Sequence, residues 1–350
     1  MESAAENRRF ARLRSLRNVR SLRLSPLAYR RVCLFGVWAL GFIIVTGAAV
    51  RLTGSGLGCP DWPTCERNQV VAPWQYHAVI EFGNRVVTGA VSLAIVAAVL
   101  GSSVRRPRRR DLTWLSWGLV GGLIAQIVLG GESVRHNLAP PFIMAHFMLS
   151  LVLLFNAVVL YHRAGFDDAP PDARGRVRPR GPVTPLVPAE HLIMGRLLVV
   201  SAAVAIFLGT VVTSTGPHGG DPKARRLELS LHRVAQFHSA AVLLFLGLTV
   251  LTLWRMVRVG APAEVMRRGE LLLILLLLQG GVGYLQYFSG VPTWMVAIHV
   301  TLAASLWAVT VQFALGLTTR PDSRPAVTPA TAPATAGALD ADAVLAPAKA

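Results

Sequence analysis

The sequence predicts an all-α, polytopic membrane protein whose eight transmembrane helices form two pseudo-symmetric four-helix bundles. Of its 350 residues, 53% are hydrophobic and only 15% are charged, whereas soluble domains carry roughly a quarter charged residues. A bilayer core needs about 20 apolar residues per helix, so apolar stretches of that length mark the spans. Eight such stretches lie at roughly 32–50, 77–100, 112–131, 141–161, 191–213, 230–254, 270–288 and 293–316.

The basic residues are distributed unevenly between the two sets of loops, and this predicts the orientation. Of the 35 Lys and Arg, 26 lie in the terminal segments and in the loops after spans 2, 4 and 6, and six lie in the opposite loops. Because cytoplasmic loops carry the excess of Lys and Arg, both termini are expected in the cytoplasm. The basic residues also lie between apolar runs, so the net charge of +17 reflects topology and not a nucleic-acid partner.

Composition divides the chain into five segments. The first is basic and polar and lacks the apolar core of a cleavable signal peptide, and the last is rich in Ala, Pro and Thr and is expected to be disordered. The segments are a basic cytoplasmic segment (1–31), an N-terminal four-helix bundle (32–161), a Pro- and Arg-rich cytoplasmic linker (162–190), a C-terminal four-helix bundle (191–316) and a cytoplasmic tail (317–350).

The two halves repeat each other. Gln126 precedes His146 by 20 residues, and Gln279 precedes His299 by the same interval. Four spans return the chain to the same side, so the repeat is parallel and its axis is expected along the membrane normal. Two local matches support the repeat: Gly47 and Thr53-Gly54 with Gly209 and Thr215-Gly216, and Asn84-Arg85-Val86 with His232-Arg233-Val234.

Four histidines fall in the outer part of the even-numbered spans and predict one metal site per half at similar depth: His77, His146, His232 and His299. Facing imidazoles in an apolar bundle suit a haem iron, and the alternative is a set of hydrogen-bonded interhelical histidines. Room for a haem would come from Gly130, Gly131, Gly280, Gly281 and Gly283.

The other five histidines are weaker candidates. His238 follows His232 by six residues, about 120° around a helix, and is a secondary candidate. The remaining four lie in loops or at span ends and are expected to be solvated: His136, His162, His191 and His218.

Two further features of span 2 and the first outer loop each allow two interpretations. Arg85 follows Glu81 at a spacing that gives an ordinary helix ion pair. Alternatively, Arg85 and Arg233 bind carboxylates of a buried ligand, such as haem propionates, and Glu81 is free for proton or charge chemistry. Cys59 and Cys65 are either a structural disulfide or a redox-active pair, because the outer side is oxidising.

The first outer loop and the polar residues of the spans resemble those of the haem A synthase family. The similar stretches are Thr53-Gly54-Ser55-Gly56-Leu57-Gly58-Cys59-Pro60-Asp61-Trp62-Pro63-Thr64-Cys65, Glu81-Phe82-Gly83-Asn84-Arg85, Gln126 to His146-Phe147, Leu231-His232-Arg233 and Ile298-His299. The resemblance covers residues 32–316. It implies a bacterial cell-membrane oxidoreductase that oxidises the C8 methyl group of haem O to a formyl group, giving haem A for terminal oxidases.

The resemblance also implies roles for individual residues. His232 and His299 would be axial ligands of a haem b cofactor in the C-terminal half, with Arg233 beside it. His146 would bind the iron of haem O in the N-terminal half, with the catalytic Glu81 next to it. Both sites would face the outer side. Implied partners are haem O synthase, terminal-oxidase assembly factors and membrane lipid, and a homo-oligomer is left open.

One position departs from the family pattern. Asn84 stands where many members carry His, so the N-terminal half lacks its second imidazole. His77 lies seven residues earlier on the same helix face and is the candidate replacement. Two rival functions remain: a dihaem cytochrome b that passes electrons from quinol to an acceptor, and a transporter that relays protons.

Overall fold

The computed structural model describes residues 23–66 and 71–320. In this part of the chain eight helices are long and apolar enough to cross a bilayer. The chain is therefore a multi-pass membrane protein, and the predicted all-α fold class is confirmed. The helices are α1 (Pro26–Leu52), α2 (Tyr76–Val104), α3 (Arg110–Arg135), α4 (Pro140–Ala164), α5 (Ala189–Thr215), α6 (Leu231–Arg258), α7 (Ala263–Phe288) and α8 (Thr293–Leu315).

Each helix begins or ends close to the predicted limits, and several extend beyond the apolar stretch. Ser25 caps α1 by accepting a hydrogen bond from the backbone nitrogen of Ala28 at 3.2 Å, and Pro26 occupies the first turn. α7 begins seven residues before the predicted start, because Glu264 and Arg268 form an ion pair of 2.6 Å that supports a polar first turn.

The loops gather at the two ends of the molecule. We call one the disulfide end, formed by residues 53–66 and 71–75, 136–139, 216–230 and 289–292. The other is the arginine end, formed by residues 105–109, 165–188 and 259–262. The even-numbered helices all begin at the disulfide end, so distances along them can be compared directly.

Helix packing follows the two halves of the sequence. Within residues 26–164, each helix contacts the next and α1 contacts α4; within residues 189–315, each helix contacts the next and α5 contacts α8. Between the halves, α4 contacts α8, α1 contacts α8 and α4 contacts α5. Replacing each helix by the corresponding helix of the other half gives the same pairs. This pattern is expected for two adjacent four-helix bundles; their pseudo-symmetry and boundaries remain a prediction.

The segment between the halves, predicted as a cytoplasmic linker, packs on the loop at 105–109 at the arginine end. Arg105 and Arg109 are fully buried. Arg105 donates to both carboxylate oxygens of Asp168, at 3.1 and 2.9 Å, and Arg109 pairs with Asp111 at 2.7 Å. The segment folds back because these buried guanidinium groups need acidic partners, and Asp168 is one of them.

The first residues of the predicted tail are also held at this end. Strand β1 (Thr184–Pro185) pairs antiparallel with strand β2 (Thr318–Thr319). The basic segment up to residue 22 and the tail after residue 320 lie outside the described residues.

Replacing Asp168 by Ala should lower the free energy of unfolding by about 3 kcal/mol, because Arg105 would stay buried without its carboxylate. Thermal unfolding of the purified protein in detergent measures the change. Asp172→Ala is the matched control, since its ion pair with Arg176 is exposed and should contribute little. Equal shifts in the two variants would contradict the anchoring role of Asp168.

Candidate functional site

Each half contains one histidine packed against a glycine of the preceding helix. A Cβ atom added at Gly130 on α3 would lie 3.5 Å from Cε1 of His146 on α4, and one added at Gly283 on α7 would lie 3.0 Å from Cε1 of His299 on α8. In the part of the chain that the structure describes, the buried Nδ1 atoms of both histidines have no hydrogen-bond partner. Two of the five glycines expected to make room therefore lie against imidazoles.

The glutamine that precedes each histidine also belongs to this arrangement. Gln126 Nε2 donates to the carbonyl oxygen of His146 at 3.1 Å and to Ser150 Oγ at 2.6 Å. These bonds connect α3 to α4 at the level of the imidazole, which fixes the backbone that carries His146.

The two halves differ in what accompanies this histidine. In the second half the ring of His238 on α6 lies 6.4 Å from the ring of His299, centroid to centroid, at 74°. His238 Nδ1 donates to the carbonyl oxygen of Ala205 at 2.9 Å. In the first half, Asn84 on α2 accepts a hydrogen bond from Thr46 Oγ1 at 2.8 Å. The second half thus brings together two imidazoles, whereas α2 supplies an amide in the first.

His77 and His232 lie closer to the disulfide end than expected. Each is the second residue of its helix, whereas His146 and His299 are both seventh residues, about 9 Å along the helix axis. His77 is hydrogen-bonded to Ser55 Oγ at 2.9 Å and His232 to Tyr287 Oη at 3.0 Å.

The four predicted histidines therefore occupy two depths, because α2 and α6 begin only one residue before His77 and His232. Within the described residues no ring contact joins His77 to His146 or His232 to His299.

Glu81 is buried, with 6% of its surface exposed, and accepts hydrogen bonds from the loop and from Arg85. Its Oε2 accepts from the backbone nitrogen of Cys59 at 2.8 Å, and its Oε1 accepts from Arg85 Nη2 at 2.6 Å. Arg85 also donates to carbonyl oxygens of the loop, including that of Thr64 at 3.0 Å. The structure thus contains the ion pair that the spacing allowed, and Arg85 is engaged with the loop.

Arg233 differs from Arg85 in this respect. Its side chain is exposed and has no hydrogen bond or ion pair with any residue in 23–66 or 71–320. Arg85 and Arg233 were both predicted to bind carboxylates of a ligand. Of these two, only Arg233 has a guanidinium group without a partner among the described residues.

The loop above Glu81 is closed by the predicted disulfide between Cys59 and Cys65, which are both buried. Gly58 lies so close to the carbonyl group of His77 that any side chain there would collide with the backbone of α2. Trp62 packs on α3, where a Cβ at Gly131 would be 2.9 Å from its ring. Arg135 lies 5.4 Å from the centroid of the same ring. The disulfide loop therefore covers the end of α2 and α3.

One of the histidines expected to be solvated is not. His191 at the start of α5 is fully buried, so that expectation is wrong for this residue. His218 is partly buried: its Nε2 donates to the carbonyl of Val291, and its own carbonyl accepts from Arg51 Nε, both at 2.8 Å. Arg51 thereby connects α1 to the second half at the disulfide end.

A sequence profile of the family described as cytochrome oxidase assembly protein matches residues 30–311. The chain belongs to this family. The match begins within α1 and ends within α8, so most of both halves and the whole disulfide loop fall within it.

Three similar proteins carry the same name, heme A synthase. A protein named heme A synthase from Shouchella clausii (strain KSM-K16) is 27% identical over 294 residues, which cover 79% of this chain and 93% of the relative. The heme A synthase from Bacillus mycoides (strain KBAB4) is 23% identical over 276 residues, covering 76% and 86%. A shorter match, 31% identical over 118 residues, covers 33% of this chain and 37% of the heme A synthase from Geobacillus kaustophilus (strain HTA426).

Proposed function

We propose that this family member acts as a haem A synthase, an oxidoreductase that converts the C8 methyl group of haem O to a formyl group. The named relatives support the activity. The observation that carries it here is the buried carboxylate of Glu81, held beneath the disulfide loop in the half that has a single imidazole at the level of His146. A dihaem cytochrome b that only passes electrons has no need for this carboxylate.

The donor set fits a haem better than a bare metal ion. No cluster of three or more His, Cys, Asp or Glu that could hold a metal occurs in residues 23–66 and 71–320. A porphyrin supplies four of the iron ligands itself, so one or two imidazoles suffice. The glycines packed on His146 and His299 keep bulky side chains away from both rings.

In this proposal the second half holds the haem b cofactor, which supplies one-electron transfer when bound. His299 would hold its iron together with a second imidazole from α6, either His232 or His238. Arg233, which is exposed and unoccupied by the described residues, binds a propionate. No described acidic side chain competes with the propionate for this guanidinium group.

The first half binds the substrate, haem O. His146 holds the substrate iron, and Asn84 leaves the opposite side without a second imidazole at that depth. His77 is a poorer second ligand, since it lies about 10 Å nearer the disulfide end than Asn84 and bonds to Ser55. An open position beside the iron is what oxygen activation requires.

Glu81 acts on the substrate methyl group in this proposal. Two successive hydroxylations of the methyl carbon, each consuming O2, two electrons and two protons and releasing one water, would give a hydrate that loses water to form the aldehyde. Glu81 passes protons to the reacting groups or stabilises positive charge developing at that carbon. Its hydrogen bond from the Cys59 nitrogen fixes one oxygen, and Arg85 fixes the other.

The disulfide end faces the outside of the bacterial cell membrane, and both termini are cytoplasmic, because the arginine-rich loops lie at the opposite end. We propose that haem O synthase delivers the substrate to this protein and that terminal-oxidase assembly factors receive the product. An association of identical chains is compatible with this assignment.

A pyridine haemochrome spectrum of the purified full-length protein tests the proposal. We expect haem b together with haem O or haem A. Two equivalents of haem b without either would favour the dihaem cytochrome, and protein without a Soret band would favour the transporter. Either result would contradict a haem A synthase.

A further inference from the structure

A cavity of about 520 Å³ lies at the arginine end, where the two halves meet. The start of α3 and the ends of α4 and α8 line it, together with the segment that folds back over residues 105–109. Because these helices are long enough to cross a bilayer, their ends lie at the level of the lipid headgroups. The volume is in the range of sites that hold small molecules. We call this feature the arginine cavity.

The lining of the arginine cavity is strongly basic. Among the residues that the structure describes, one carboxylate belongs to the lining, that of Asp111. Its two oxygens accept from Arg109 at 3.1 and 2.7 Å, and its attraction for Arg163 acts over a longer distance. Asp111 therefore neutralises mainly a buried guanidinium group outside the lining. The cavity itself is lined by five arginines: Arg110, Arg163, Arg176, Arg178 and Arg320.

Two of these arginines have partners within the chain. Arg176 pairs with Asp172 at 2.9 Å, and Arg320 lies 5.4 Å from the centroid of the Phe166 ring. The other three are exposed, and their side chains form no hydrogen bond or ion pair with any residue in 23–66 or 71–320: Arg110, Arg163 and Arg178. Three like charges around one cavity repel one another, and a bound anion removes that repulsion.

Phosphate is the anion that this lining fits. A carboxylate has two oxygens and one negative charge, which a single guanidinium group satisfies with paired hydrogen bonds. Three guanidinium groups need more acceptors and more charge, and a phosphate monoester or a pair of phosphodiesters supplies both. Arginine is well suited to this contact because its planar fork matches the geometry of phosphate oxygens.

Apolar residues complete the lining and suit the remainder of a lipid headgroup. Val183 has 57% of its surface exposed, and Leu315 is the last residue of α8. Basic pockets between transmembrane helices bind the headgroups of anionic lipids such as cardiolipin, which carries two phosphates. The cavity thus combines basic and apolar groups at the depth where such a lipid carries both phosphate and hydrocarbon.

We propose that the arginine cavity is a phosphate-binding site in which Arg110, Arg163 and Arg178 hold the phosphate of a lipid headgroup or the free ion. Arg110 and Arg163 belong to the first half, and Arg178 belongs to the segment that joins the halves. Bound phosphate therefore fixes this segment on the first half. The site goes beyond the proposed haem A synthase activity and does not depend on it.

Isothermal titration calorimetry of lipid-depleted, full-length protein in detergent, at constant ionic strength, tests the site. The probes are cardiolipin, phosphatidylcholine and inorganic phosphate. The cavity variant, Arg163→Gln with Arg178→Gln, removes two guanidinium groups of the lining. The matched control, Arg108→Gln with Arg174→Gln, removes the same charge from exposed arginines at the same end of the molecule that do not line the cavity.

We expect saturable binding of cardiolipin or of inorganic phosphate. The dissociation constant should rise at least about tenfold in the cavity variant and stay within about twofold in the control, because charge-assisted hydrogen bonds are lost only in the former. Phosphatidylcholine should bind more weakly than cardiolipin, since its own ammonium group cancels its charge. Cardiolipin binding assigns the site to a lipid headgroup, and saturable binding of inorganic phosphate without cardiolipin binding assigns it to the free ion.

Three results of the titrations would overturn the proposal. They are the absence of saturable binding of either anion, equal losses in the two variants, and binding of phosphatidylcholine as tight as that of cardiolipin.

Hydrogen exchange of the parent protein gives a second measurement that depends on no variant. The anion that binds should slow exchange of the backbone amides in residues 165–188 and leave the disulfide end unchanged. Equal protection at both ends, or none, would contradict a site at the arginine end.

Discussion

Replacing Glu81 by Gln is expected to lower haem A formation by at least about 100-fold while the haem b content stays unchanged. Glutamine keeps the shape of the side chain and can still accept the hydrogen bond from the Cys59 nitrogen. It cannot take up a proton or carry the negative charge that now faces Arg85. The loop should therefore stay in place while the chemistry at the substrate methyl group stops.

Extraction of total haem from membranes, followed by chromatography, measures the ratio of haem A to haem O. Because the substrate ligand His146 is untouched, the variant should accumulate bound haem O. Glu132→Gln is the matched control, since Glu132 forms a partly exposed ion pair with Arg135 near the same end of the molecule. Haem A at the parental level in Glu81→Gln would remove the carboxylate from the mechanism.

Local composition was sufficient to predict the membrane architecture. A span is defined by the length of an apolar stretch, and this property survives folding almost unchanged. The disulfide between Cys59 and Cys65 could also be predicted from the sequence, because the two cysteines lie six positions apart in one short loop. The repeated spacing from Gln126 to His146 and from Gln279 to His299 predicted two equivalent positions, because both intervals cross a loop of the same length. In the structure each of these histidines packs against a glycine.

Side-chain pairing between helices was less accessible from sequence. The local match of Asn84-Arg85 with His232-Arg233 aligns α2 with α6 by sequence, whereas counting back from the ends of the two helices pairs Asn84 with His238. The helix ends depend on the packing of the loops, so the sequence did not show this second alignment. The same limit explains His191, which a position near a span end predicted as solvated although tertiary packing buries it.

The arginine end shows a third kind of limit. Arg105 and Arg109 belong to the basic residues counted for the orientation, and both are buried against acidic partners. The number of basic residues in a loop predicts on which side of the membrane the loop lies. It does not predict whether an individual side chain is exposed to water. Only the fold of residues 165–188 over the loop at 105–109 reveals the pairing with Asp168.

Replacing His146 by Ala is expected to abolish substrate binding and haem A formation together, which distinguishes it from Glu81→Gln. His146 is the only imidazole that the described residues place at its depth in the first half, because Asn84 occupies the position that His238 has in the second. Its loss leaves the substrate iron without a protein ligand there. The haem b spectrum should be retained, since His238 and His299 lie in the other half.

Haem extraction and the optical spectrum of the purified variant measure both effects. His136→Ala is the matched control: it removes an imidazole near the same end of the molecule, stacked on Phe142 with ring centroids 4.4 Å apart, and it should leave both haems in place. Substrate haem bound at the parental level in His146→Ala would show that another residue holds the iron. His77 would then be the residue to replace next, because its ring faces the same loop that covers Glu81. Glu81→Gln should therefore retain bound haem O, whereas His146→Ala should lose it. This difference arises because the first half offers one imidazole at that depth and the second half offers two, which suits a substrate that must leave and a cofactor that must stay.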